Sequence, residues 1–136
     1  MERSYNQILA NLFVGSADDA SVAVEDCVVQ QVFDVRVKGL QGQVSYKYTH
    51  CPIHESEEAA TIINGVKQIV AAIRTGESVY IHCGSGTGRA AVMAAAVLLE
   101  LGEAATVQQA MQIVMEKRPG ARFQPVMVEA LQSIYA

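Results

Sequence analysis

The chain has 136 residues, with 10 Lys and Arg against 14 Asp and Glu for a net charge of −4; 51% of residues are hydrophobic, three are Cys and none is Trp. That content fills one core in a single domain over residues 1–136 and excludes wholesale disorder. The absent basic excess excludes a dedicated nucleic-acid binder. The longest apolar run, Ala90 to Leu99, spans ten residues. It is too short to cross a bilayer, so no membrane partner is expected. Glu2 and Asn11 break any signal-peptide pattern, and an odd number of cysteines argues against a disulfide framework and for a reduced, cytoplasmic setting.

Along the chain the apolar period switches between 2 and 3.6, the mark of a mixed α/β fold. Leu12-Phe13-Val14 reads as a short strand turning at Gly15-Ser16, and Asp18 to Cys27 as a weak helix. Val32 to Val37 is a β-branched strand stopped by Lys38-Gly39, and Tyr46 to Ile53 is another that meets Pro52. Ser56 to Arg74 is the clearest helix. Ala59, Ile62, Ile63, Val66, Ile69, Val70 and Ile73 share one face, Ser56 is placed to cap the start, and Gly76 stops it. Ser78 to His82 is a strand, Gly84 to Gly88 a turn, and Arg89 to Leu101 a helix ending at Gly102. Thr106 to Lys117 and Pro125 to Tyr135 complete the helices, the latter with Pro in its first turn.

The chemistry concentrates at Val79-Tyr80-Ile81-His82-Cys83-Gly84-Ser85-Gly86-Thr87-Gly88-Arg89. A cysteine stands where a strand ends, and an arginine opens the next helix. The amides of a tight loop and of a helix N-terminus converge on one point and favour negative charge there. Three glycines let the loop curl and let its amides approach an oxyanion closely. An arginine fork holds two phosphate oxygens at once. The same kind of field favours the thiolate form of a cysteine over its thiol. The loop lacks the Gly-Lys-Ser/Thr of a nucleotide-binding P-loop and the glycine spacing of a dinucleotide fingerprint. A plain strand-to-helix turn around a buried cysteine needs neither Arg89 nor the three glycines.

The motif His82-Cys83-x-x-Gly86-x-x-Arg89 resembles the signature of the cysteine-dependent protein tyrosine and dual-specificity phosphatases, in particular the compact bacterial-type members. Further segments resemble the same family: Asn11 to Ser16 its first strand, and Phe33-Asp34-Val35-Arg36 its "Ile-Asp-Leu-Arg" strand. Cys51-Pro52-Ile53-His54-Glu55 resembles its acid loop, and Arg118-Pro119 through Gln124-Pro125 its C-terminal "Arg-Pro…Asn-Pro" segment. The resemblance implies a single α/β domain with a central, mostly parallel sheet of four to five strands and helices on both faces. It further implies metal-independent phosphomonoester hydrolysis through a cysteinyl-phosphate, with no cofactor. Cys83 would be the nucleophile and Arg89 the phosphate clamp, with Gly84, Ser85, Gly86, Thr87 and Gly88 as the amide cradle. Expected ligands are a phosphorylated protein or a small phosphomonoester, and oxyanions such as phosphate, sulfate or vanadate.

Two positions depart from the family pattern. The expected general acid is Asp, whereas Glu55 stands here, 28 residues before the cysteine; His54, Glu57 and Glu58 are the neighbouring alternatives, or no acid acts at all. Ala90 occupies the place of a Ser or Thr that assists loss of the sulfur, which implies slow breakdown of the intermediate. His82 reads as structural. Asp34 and Arg36 read as a pocket wall or an ion pair, Gln124 as a stand-in for the family's Asn, and Arg122 as a basic rim. Cys27 and Cys51 read as core residues, with a redox bridge from Cys51 to Cys83 as the alternative. The uncharged variable positions of the loop and the net charge point away from polyanionic substrates, and the short chain, lacking the segments that build a deep cleft in larger family members, implies a shallow pocket for phosphotyrosine and phosphoserine/threonine. Rival readings are a small-molecule or polyphosphate phosphatase, a phosphate-binding pseudophosphatase and, more distantly, a sulfurtransferase.

Overall fold

Four β-branched segments and one N-terminal arm share a single sheet. The structure is a computed structural model that describes residues 4–26 and 29–135. Strands β1 (Tyr5–Leu9), β2 (Leu12–Gly15), β3 (Gln31–Asp34), β4 (Lys47–His50) and β5 (Val79–His82) lie in the order β1-β2-β5-β3-β4. All pairs are parallel except β1 with β2, an antiparallel edge hairpin whose register shifts between Gln7 and Leu9. Helices follow as α1 (Ala20–Glu25), α2 (Glu58–Arg74), α3 (Arg89–Glu100), α4 (Val107–Lys117) and α5 (Pro125–Ile134).

Alternation along the strands divides the core in two. Leu12, Val14, Phe33, Val79 and Ile81 face α2 to α5, while Phe13, Val32 and Tyr80 face Ala20 and Ala23 of α1. Helices therefore cover both faces, as the fold class requires. Residues Ala90 to Leu98 of α3 are all buried. A helix that is apolar all round belongs in the middle of a core. Its alanines let α2 and α4 pack closely on either side.

The element ends differ from the sequence reading for local reasons. Strand β3 stops at Asp34 rather than Val37, because the Asp34 carboxylate turns back to accept the amide of Arg36. Strand β4 covers only Lys47–His50 of the expected Tyr46–Ile53, although Cys51 N still donates to Asp34 O. Ser56 does not cap α2: it sits at φ 68°, Glu57 is the cap residue, and Ser56 N donates to Glu58 Oε2. Thr106 does cap α4, its Oγ1 accepting from Gln109 N at 3.1 Å. Helix α1 is shorter than the expected span, and Cys27, at the expected end of it, lies outside the described residues. Strand β1 escaped the sequence reading because Ile8 is its one buried position, leaving no alternation to detect. Among the described residues, no helix is long and apolar enough to cross a membrane.

Candidate active site

Strand β5 delivers Cys83 to the C-terminal edge of the sheet, and residues 84–88 carry the chain from there to the N-terminus of α3. Five consecutive carbonyls of this loop are each taken by a donor outside it. His82 Nδ1 lies 2.9 Å from Cys83 O, and Ala17 N donates to Gly84 O at 2.9 Å. Arg118 donates through Nη2 to Ser85 O at 2.6 Å and through Nε to Gly86 O at 3.3 Å. Arg122 N donates to Thr87 O at 2.8 Å. With the carbonyls held outward, the amides are left for the concave side. Among the described residues, none of the amides of 84–88 donates to a protein acceptor. Such a run of free amides ahead of a helix N-terminus forms an anion cradle.

Arg118, which the sequence offers only within its C-terminal Arg-Pro segment and without a role, belongs to the site. It is 5% exposed and completes its bonding with Asn6 Oδ1 at 2.8 Å and Ser4 Oγ at 3.0 Å. Its only signal in the sequence is the Arg118-Pro119 pair. Gly86 has to be glycine twice over: its φ is +79°, and a Cβ there would lie 2.2 Å from Gly15 O. Gly84 and Gly88 have open space where a Cβ would stand, so steric contact does not account for them as it does for Gly86.

Cys83 is 8% exposed and lines an open cleft of about 510 Å³ with Arg36, Arg89, Arg122 and Gln124. Nε of Arg89 is buried and lacks a hydrogen-bond partner. A buried N–H of this kind is costly unless a ligand satisfies it, so its geometry suits an anion over the loop. Glu55 Oε1 lies 3.9 Å from Arg89 Nη2, and Glu55 lines an adjoining recess of about 280 Å³ that Arg89 shares. The other acid candidates are placed differently: Glu58 is turned to Ser56 N, and neither Glu57 nor His54 lines the cleft or this recess. Ala90 is fully buried behind the loop.

Asp34 and Arg36 form the ion pair that the sequence allowed and also touch the site. The fully buried Asp34 accepts from Arg36 Nε at 3.0 Å, Arg36 Nη2 at 2.8 Å and Tyr48 Oη at 2.6 Å. Burial alone would raise its carboxyl, but the bonds from Arg36 and Tyr48 outweigh burial and hold it below the usual carboxylate value. Asp34 Oδ1 is 3.7 Å from His82 Nδ1. A carbonyl only accepts, so the contact to Cys83 O assigns the proton to Nδ1. Burial also lowers the imidazole's proton affinity and keeps the ring neutral at physiological pH. Through its contact with Cys83 O, His82 anchors the start of the loop. Cys51 is a free, buried thiol whose pKa is pushed up to about 12 by burial and by the Asp34 charge, and Cys83 is also free.

Arg118→Lys keeps a positive charge but loses the rigid fork whose Nε and Nη2 serve Gly86 O and Ser85 O. We expect each carbonyl left unpaired to cost about 1–3 kcal/mol, and we expect the thermal stabilisation conferred by vanadate to shrink. Melting curves with and without vanadate check both; an unchanged vanadate shift would separate Arg118 from the loop.

The sequence matches the family model for the dual specificity phosphatase catalytic domain over residues 12–133. No curated protein sequence matches the chain. Among solved structures, a mouse putative dual specificity phosphatase complexed with zinc tungstate superposes with a TM-score of 0.86 at 19% identity, covering 99% of this chain and 88% of that one. Human DUSP28 gives 0.85 at 22% identity over 99% and 95% of the two chains. The structure of PTPMT1 gives 0.81 at 19% identity over 96% and 93%. At these identities the structures speak for the fold, and the family match covers most of the sequence. The chain belongs to the dual specificity phosphatase catalytic domain family.

Proposed function

We propose that the protein is a metal-independent phosphomonoester hydrolase working through a cysteinyl-phosphate, with phosphotyrosine and phosphoserine/threonine proteins as its substrate class. The observation that carries this reading is the inverted loop: five carbonyls held outward around a cysteine, with the unpartnered Nε of Arg89 beside it. In the proposed reaction the Cys83 thiolate attacks phosphorus and the P–O bond breaks with its electron pair on the leaving oxygen. Protonated Glu55 supplies the proton. The amides of 84–88 and the Arg89 fork take the charge of the equatorial oxygens, the electrostatic share of catalysis. Glu55, now a carboxylate, then takes a proton from water as it attacks phosphorus, and the P–S bond breaks to return the thiolate. Glu55 is given both steps because, of the acid candidates, it lies beside Arg89 and lines the recess adjoining the cleft.

A second reading, a small-molecule phosphatase, draws support from one observation: the arginines Arg36 and Arg122 line the same cleft as Cys83. The loop is uncharged, as its sequence states, but the cleft around it is not.

Cys83→Ser should abolish hydrolysis of p-nitrophenyl phosphate while retaining phosphate affinity in a binding titration. Failure of the wild type to show vanadate-sensitive, chelator-resistant hydrolysis anywhere between about pH 5 and 8 would leave a phosphate-binding pseudophosphatase. Glu55→Gln should lower kcat/KM, which reports formation of the cysteinyl-phosphate, by about 10²–10⁴ on an alkyl phosphate and much less on an aryl phosphate, whose leaving group scarcely needs a proton. Equal losses on both would remove Glu55 as the acid. Because Ala90 offers no hydroxyl to the departing sulfur, stopped-flow traces with an aryl phosphate should show a burst and a slow steady state, and Ala90→Ser should raise the steady rate. Linear traces from the first turnover would contradict a slow second step.

A further inference from the structure

The cleft above the loop is distinguished by its walls. Beside the loop residues it is lined by Arg36, Arg89, Arg122 and Gln124, with no aromatic, aliphatic or acidic side chain. The adjoining recess adds Val92 and Met127 as its apolar residues, and these are only 1% and 7% exposed. Sites for ring-bearing ligands are ordinarily walled by apolar and aromatic groups. A phenyl ring here would be set among guanidinium groups and backbone.

The two flanking arginines differ in how they are held. Arg36 is locked by Asp34, which takes its backbone amide, Nε and Nη2. Nη1 has no protein partner among the described residues, and the side chain is 31% exposed at the cleft. The guanidinium is thus a pre-positioned cation with one edge to spare. Arg122 is anchored by its backbone, N–H to Thr87 O, and among the described residues no carboxylate pairs with its head group. One cation stands near the strand end that delivers Cys83 and the other near the far end of the loop. Arg89 is engaged by the transferred phosphoryl in the proposed reaction, so Arg36 and Arg122 are surplus to one phosphate.

We infer that the cleft takes a small, hydrophilic phosphomonoester carrying a second phosphate, which Arg122 receives while the scissile phosphate lies over Cys83. The inference rests on the Cys-based phosphatase chemistry above and takes its second reading, a small-molecule phosphatase, in place of phosphoproteins as the substrate class. Arginine forks bind phosphate in a bidentate, charge-assisted manner, and an open rim suits a soluble ligand whose second charge stays near water.

The test compares kcat/KM of the full chain for a hexose bisphosphate, the monophosphate of the same sugar, and singly and doubly phosphorylated tyrosine peptides. The bisphosphate should be preferred over the monophosphate by about tenfold or more through KM, the size of one charge-assisted hydrogen bond. Added salt should shrink the preference. Arg122→Gln should bring it to near unity, Arg122→Glu should reverse it, and Arg122→Lys should restore part of it. Arg122 is exposed and its loop contact is made by the backbone, so these variants keep the fold. Equal kcat/KM for the two sugar phosphates, or a preference untouched in Arg122→Gln, would overturn the subsite. Faster turnover of either phosphopeptide than of the bisphosphate would overturn the small-molecule assignment. Absence of Cys83-dependent turnover on p-nitrophenyl phosphate would instead remove the phosphatase reading itself, so the two failures are distinct.

Discussion

The direction in which one loop's carbonyls point is the constraint on which the rest of the site depends. A peptide unit cannot turn its amide inward without turning its carbonyl outward, and each carbonyl so turned needs a donor. Five such groups in a row therefore need five donors outside the loop, and the fold supplies them from His82, Ala17, Arg118 and Arg122. Arg118 is the central one, since it alone serves two adjacent carbonyls from a buried position. The sheet, the helices and the C-terminal segment can be understood as what holds these donors in place.

The same principle reconciles an acidic protein with an anion site. Net charge describes the far field, which water and salt screen within about 8–10 Å. Within the cleft the field is set by free amides, the start of α3 and the arginines that line it. Asp34 contributes indirectly. Its negative charge is fully buried and neutralised by Arg36, so it fixes a cation at the rim without presenting a carboxylate to the cleft.

What was legible in the sequence was local. The β-branched run before Cys83, the glycine turn, Arg89 and the apolar face of α2 each announce themselves within a dozen residues, and the structure keeps all of them. What was hidden joins distant positions. Arg118 meets Ser85 across 33 residues and Ser4 across 114, and no periodicity encodes such a partnership. Ser56 looked like a helix cap by residue type, yet its positive φ removes it from that role. The loop glycines looked alike, but it is at Gly86 that a Cβ would strike another segment, because Gly15 O approaches there. Whole-chain charge says little about the cleft for a related reason: composition sums over the surface, whereas a site samples a few side chains.

The ring of donors around the loop also makes the site a late event in folding. Ala17, Arg118 and Arg122, with Ser4 and Asn6 accepting from Arg118, come from near the two ends of the chain and must meet around residues 83–87 in the middle. Contacts of such sequence separation are closed only after chain entropy has been lost elsewhere, and they form slowly. The anion cradle is therefore absent from any partly folded form that has not docked its C-terminal helices. Oxyanion binding reports completion of the whole domain rather than the presence of its motif.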